Sequence, residues 1–144
     1  MSIVIALSPI SSDYACHQAI LKIAESSSIA AALLTTIAQV ESGMGPLRQP
    51  WPWTVNGQGH DYAFKTVKGA VTYMEPRQRR GITSFAVDCF QINWHRHKVR
   101  SIAELIAPDT NTLIATLYLH ELYQHHGSVV QTVAHYQPLA VALM

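Results

Sequence analysis

The chain has 144 residues, the size of one domain built around one hydrophobic core. Hydrophobic residues make up 49% of it and charged residues 13%, a balance that excludes a disordered charged tail and predicts a well-buried core. Ten Lys and Arg against nine Asp and Glu leave a formal net charge of +1, which excludes a protein held on nucleic acid chiefly through phosphate neutralisation.

Residues 1–11 read as an N-terminal tail ahead of a core over residues 12–136. Ile3 to Leu7 is apolar, but the first basic residue is Lys22, so the stretch is not a complete signal peptide. Ser12 or Asp13 can cap a first helix in which Cys16, Ala19, Ile20, Ile23 and Ala24 fall on one face. After the Ser26 to Ser28 interruption, Ile29 to Val40 predicts a second helix, apolar on most sides. At 12 residues it falls short of the roughly 20 needed to span a bilayer, so no membrane span is expected. This helix delivers Glu41 to the edge of the core, where Gly43, Gly45 and Pro46 end it, the glycines by taking left-handed backbone cheaply.

Trp53-Thr54-Val55 and Tyr62-Ala63-Phe64 flank Asn56-Gly57-Gln58-Gly59, the pattern of a small β-hairpin. Thr66 to about Arg80 predicts a third helix, followed by a short extended stretch from Ile82 to Val87. Pro108, Asp109 and Asn111 open a further helix with Ile114, Leu117, Tyr118 and Leu122 on its apolar stripe, closed by Gly127. Ser128 caps a final helix containing Val129, Val133 and Tyr136. The expected fold is therefore mostly α, of the α+β class, in one domain with a small hairpin.

Eight histidines invite a metal reading that their spacing opposes. His120 and His125 are five apart, about 140° around a helix, whereas a zinc-binding helix places its histidines four apart. His95 and His97 are a lone pair and are read as structural or solvent-facing, and no metal is expected. Arg77, Arg79, Arg80, Arg96, Lys98 and Arg100 read as a solvated surface. No Gly-rich phosphate loop is present, and neither cysteine sits in a nucleophile signature. Cys16 and Cys89 are either two buried thiols or a disulfide.

What remains is a carboxylate. Glu41 follows an apolar run and precedes Ser42-Gly43, so it is expected to be partly desolvated, which raises a carboxyl pKa by disfavouring the charged form. A carboxyl group that stays protonated at the bottom of a cleft is what glycosidic cleavage uses, because the departing sugar oxygen must receive a proton. Trp51, Trp53, Tyr62 and Phe64 offer faces for sugar rings, and Asn56, Gln91 and Asn93 offer neutral hydrogen-bonding groups.

With these residues in view, the sequence resembles the lytic transglycosylase family, the SLT-type lysozyme-like domains that cleave bacterial peptidoglycan, especially the small members that accompany secretion and conjugation machines. The anchors run from Ile37-Ala38-Gln39-Val40-Glu41-Ser42-Gly43 through Pro50-Trp51-Pro52-Trp53-Thr54-Val55-Asn56 with Gly59. They continue through Gly81-Ile82-Thr83-Ser84 and Cys89-Phe90-Gln91-Ile92-Asn93 to Ala134-His135-Tyr136. The resemblance implies a lysozyme-like fold with Glu41 as sole catalytic acid and base. Glu41 would protonate the bond between N-acetylmuramic acid and N-acetylglucosamine, then take the proton of the muramyl O6 hydroxyl as the ring closes to a 1,6-anhydro product. It further implies that Ser42 positions the reacting sugar and that Gln91, Asn93 and Tyr136 bind sugar or orient the glutamate, while Trp53 and Asn56 are expected to bind sugar on their own chemistry. No cofactor is implied. The expected partners are glycan strands and a secretion or conjugation machine, in the periplasm or another exported location.

Relatives with cysteines at these positions imply a Cys16–Cys89 disulfide, which would tether the first helix to the cleft wall. Two departures stand out: Asp88 replaces a glycine and Phe90 a methionine, placing a side chain where bare backbone approaches the cleft. From them come two rival readings. One is a muramidase-type hydrolase with Asp61 or Asp88 as a second carboxylate; the other is a catalytically degenerate peptidoglycan-binding module. The chain also departs after Tyr136, where Gln137-Pro138 replaces the family's further helix.

Overall fold

A computed structural model describes residues 12–97 and 101–136. The expectations placed on residues 1–11, Lys98, Arg100 and residues 137–138 lie outside the described residues, as do those on the side chains of Ser12, Asp13, Arg96 and His97.

The architecture is mostly α with two small antiparallel sheets. Helix α1 (Ser12–Ala24) buries Cys16, Ala19 and Ile20 and half-buries Ile23 and Ala24, so its apolar face is the predicted one. It packs against α2 (Ala31–Ser42) and against a long helix from the C-terminal half, α6 (Pro108–His126). Helix α2 starts and ends two residues later than its apolar run predicts, so Glu41 and Ser42 occupy its last turn. Gly43 ends it for a reason other than the expected one. Its φ of −63° and ψ of 132° are ordinary extended backbone, and glycine is required because a Cβ would run into the carbonyl oxygens of Gln39 and Arg48.

Beyond α2 the chain makes a short ribbon, β1 (Gly43–Met44) with β2 (Gln49–Pro50). The predicted hairpin follows as β3 (Thr54–Gly57) and β4 (His60–Ala63), registered Val55 to Tyr62 and Gly57 to His60. Gln58 and Gly59 turn it with φ of 55° and 80°, the left-handed pair that a tight hairpin of this twist requires. The extended stretch after α3 (Val67–Arg79) becomes β5 (Phe85–Val87), which pairs with the other edge of β3, and β6 (Ile92–Asn93) extends the sheet to the order β4-β3-β5-β6. Residues of β3 are consequently buried on both faces, while β4 stays exposed.

Two short helices, α4 (Trp94–His97) and α5 (Ile102–Leu105), lead into α6. The apolar stripe of α6 differs from expectation: Leu117 is 61% exposed and Ile114 half-buried, while Asn111, Thr112, Ala115, Tyr118, Leu119 and Leu122 face inward. Of the inward polar residues, Asn111 and Thr116 find backbone partners, whereas the buried Thr112 hydroxyl has none. The Asn111 side chain accepts from the Phe90 amide at 3.0 Å and donates to the Val87 and Leu105 carbonyls at 2.8 and 3.0 Å, which satisfies a buried amide that would otherwise cost free energy. Gly127, at φ 75°, closes α6 and Ser128 caps α7 (Val129–His135) by accepting from the Gln131 amide. Among the described residues no helix is long and apolar enough to cross a membrane.

Candidate active site

The last turn of α2 forms one wall of a cleft of about 280 Å³, with Val40, Glu41, Ser42 and Gly43, joined by Met44 and Arg48 from the ribbon. Thr54, Val55, Asp61, Tyr62 and Ala63 of the hairpin face it, and Gln91 closes the floor. Glu41 is partly buried, and burial alone pushes its carboxyl group up to about 7, since a carboxylate stripped of water is disfavoured relative to its neutral form. No neighbouring charge contributes to that shift. A carboxyl group poised there can donate a proton and take one back near neutral pH.

The residues around Glu41 hold the turn formed by residues 88–91 against α2. The Ser42 hydroxyl is buried and donates to the Cys89 carbonyl at 2.7 Å, with Ala38 O at 3.1 Å. Ser42 lines the cleft, yet its hydroxyl proton is directed into the protein. Gln91 sits at φ 50°, and its side-chain amide donates to Thr54 Oγ1 at 3.0 Å and Asp88 O at 3.1 Å. Tyr136, the residue that ends α7, is buried and donates to the Phe90 carbonyl at 2.8 Å. Burial, followed by the negative charge of Glu41 and then Tyr118, drives its hydroxyl well above the usual phenol range. Tyr136 therefore lies within electrostatic reach of Glu41 while its own proton is fixed on backbone.

The other expected sugar contacts divide. Asn56 is buried and does not line the cleft, but it donates to Asp61 Oδ1, so it holds a cleft carboxylate in place. Asn93 is buried behind β5, and Trp53 is half-buried against the core; neither is among the cleft-lining residues. Trp51 donates its indole N–H to the Phe64 carbonyl at 2.7 Å. Tyr62 alone of the four aromatic candidates faces the cleft, at 39% exposure, stacked on Phe64 and tilted against Tyr73. The hairpin pattern identifies these rings but not which face they occupy, because that depends on how β5 docks.

Asp88 departs furthest from expectation. Its backbone is left-handed, φ 71°, a conformation that glycine adopts at no steric cost and that aspartate tolerates better than most residues. The side chain points into the protein, fully buried: Oδ1 accepts from the Cys89 amide at 2.6 Å and Oδ2 has no partner. Burial raises its carboxyl pKa well above the usual range, opposed by the Cys89 amide. Neither Asp88 nor Phe90, also fully buried, enters the cleft. Asp88 thus cannot serve as a second carboxylate toward a ligand in that cleft, and the obstruction anticipated from these two residues is absent.

Cys16 and Cys89 form a disulfide with Cα atoms 5.7 Å apart, joining α1 to the same turn. Among the described residues, one group of three metal-type ligands has its atoms within 4.8 Å of one another, Cys16, Asp88 and Cys89, and both of its sulfurs are committed to that bond. The C-terminal histidines contact one another, His126 stacked on His135 at 3.8 Å with His125 edge-on. Sequence reasoning passed over Arg48 and read Asn111 only as a residue that opens its helix. Asn111 was detectable, because it shares a helical face with Ala115, Tyr118 and Leu122.

Comparison with models of known protein families, with curated proteins and with solved structures returned no match. What the cleft can do is read from its own chemistry.

Proposed function

We infer that the protein is a peptidoglycan lytic transglycosylase of the SLT-type, lysozyme-like kind, with Glu41 as general acid and base. The observation that carries this is the Glu41 carboxyl at the wall of an open cleft, held by desolvation at about 7. Protonated Glu41 gives its proton to the glycosidic oxygen as the bond from muramic acid breaks. The resulting carboxylate takes the proton of the muramyl O6 hydroxyl while that oxygen attacks the anomeric carbon. Proton count closes on Glu41, and the sugar's own hydroxyl replaces water, so one carboxyl group suffices. Gln91, Ser42 and Tyr136 hold the loop and helix that frame the acid. The Cys16–Cys89 disulfide supports an oxidising, exported location such as the periplasm, where glycan strands and a secretion or conjugation machine are the partners proposed.

A second reading is favoured by one observation. Asp61 lines the same cleft and is held by Asn56, as a carboxylate that activates water or attacks the sugar would be. Digestion of purified sacculi followed by mass spectrometry separates the two, since hydrolysis leaves each product heavier by one water than the anhydro form. Transglycosylation predicts anhydro ends, lost in Glu41→Gln. Solubilisation by Glu41→Gln at the wild-type rate would remove both readings.

A further inference from the structure

Asp88 has no part in the cleft, yet one of its oxygens is left without a partner. The side chain is fully buried and Oδ2 makes no hydrogen bond, whereas buried polar atoms in folded proteins are almost always satisfied. Its surroundings point to a ligand. A carboxyl oxygen of Asp88 and the sulfurs of Cys16 and Cys89 lie within 4.8 Å of one another, and all three residues are fully buried. Cys16 comes from the buried face of α1, while Asp88 and Cys89 are neighbours in the turn that the disulfide ties to it. The Cys89 amide, donating to Oδ1 at 2.6 Å, fixes the carboxyl group. Two sulfurs and a carboxylate are donors of the kind that zinc takes, and its tetrahedral shell sets ligand atoms about 3.5–3.8 Å apart. A carboxylate ligand is commonly oriented by a hydrogen bond on its other oxygen. Burial disfavours the charged form of Asp88, a cost that a bound dication offsets.

We propose that Cys16, Cys89 and Asp88 bind a thiophilic divalent cation of the zinc class when the disulfide is reduced, so that the metal takes over the tie between α1 and the turn of residues 88–91. In the oxidised protein the two sulfurs are bonded to each other and are not ligands. A dithiol reductant supplies the two electrons that break this bond: its own sulfurs close to a disulfide, and its two protons pass to Cys16 and Cys89. Zn2+ then displaces both thiol protons, together with any proton held by the carboxyl group, and forms two bonds to sulfur and one to oxygen. These are three of the four positions of a tetrahedral site. None of the three residues lines the Glu41 cleft, so the site is independent of the activity inferred above.

The test titrates Co2+ and Zn2+ into the whole protein with its disulfide intact and after reduction by a phosphine, which does not compete for zinc as a dithiol would. The reduced form is expected to take up one equivalent of cobalt with a thiolate-to-metal charge-transfer band that zinc abolishes. Zn2+ at a hundredfold excess over its Kd should raise the melting temperature of that form by roughly 10 °C. The oxidised form should show neither effect. It keeps the same eight histidines, so metal held by those would appear in both forms. Asp88→Asn, which retains both thiols, should weaken zinc binding by the reduced protein about tenfold or more. If reduction unfolds the metal-free chain, zinc should restore its near-UV circular dichroism. No charge-transfer band in the reduced protein, the same band in the oxidised one, or zinc affinity unchanged by Asp88→Asn would overturn the site. So would zinc that binds without raising the melting temperature or restoring structure.

Discussion

The Ser42 hydroxyl donates to the Cys89 carbonyl across 2.7 Å, so the helix turn that carries Glu41 and the turn that carries Gln91 are joined by one buried bond. Ser42→Ala removes the donor and leaves a buried carbonyl unsatisfied, a loss of about 1–3 kcal/mol. Thermal melting should fall accordingly. Because the bond sets how deeply Glu41 is buried, the alkaline limb of the pH–rate profile should move to lower pH as water reaches the carboxyl group; a melting change with an unmoved profile would make Ser42 structural only.

Glu41 links activity and stability to pH in one direction. Turnover requires the acid form, so kcat/KM should be level below about 7 and fall tenfold per unit above it. The folded state holds this proton more tightly than the unfolded chain, in which the carboxyl titrates near 4.5. Between those values the folded protein binds more protons, so stability declines as pH rises and is lost through the folded value. With allowance for the partial exposure of the group, the decline is on the order of 1–2 kcal/mol. Chemical denaturation at pH 4.5 and pH 8 measures it, and Glu41→Gln should flatten the dependence while abolishing turnover.

Asp88 and Asp61 are separable by substitution. Asp88 is buried and left-handed, a conformation that asparagine also tolerates. Asp88→Asn should therefore leave the rate on sacculi within about twofold of wild type. Asp61→Asn separates the two chemistries: anhydro products at a similar rate are expected of a transglycosylase, whereas a hundredfold or greater loss would fit catalysis by a second carboxylate. Product mass and initial rate, measured on both variants, decide it.

Local chemistry made the helix boundaries legible. Thr66 and Ser128 accept from Gly69 and Gln131 at helix starts, and Gly127 closes α6 in the left-handed region; each acts through neighbours in sequence. Glu41 was legible for the same reason, since an apolar run ending in Glu-Ser-Gly brings a carboxyl group to the edge of the core. Asp88, Trp53 and the stripe of α6 were not. Asp88 points inward because β3 and the Cys89 amide hold its turn, Trp53 packs against the core cluster, and Asn93 is buried where β6 pairs with β5. Leu117 is exposed because Asn111 and Thr116 take inward positions and find their partners in backbone carbonyls. No period in the chain encodes those long-range satisfactions.

The disulfide closes a loop with a sequence separation of 73, and both sulfurs are fully buried, next to the turn that bonds to Ser42, Tyr136 and Asn111. The chain-entropy relation for a loop of this length gives about 4 kcal/mol, a large share of the stability of a domain this size. The Cys16→Ser, Cys89→Ser double variant should melt well below wild type. It should also lose activity at temperatures where it is still folded, because α1 then no longer braces the turn behind Glu41. An unchanged melting temperature would mean that the core alone fixes this turn. A large melting shift with full activity at low temperature would place the contribution of the bond in the unfolded chain rather than in the geometry of the cleft.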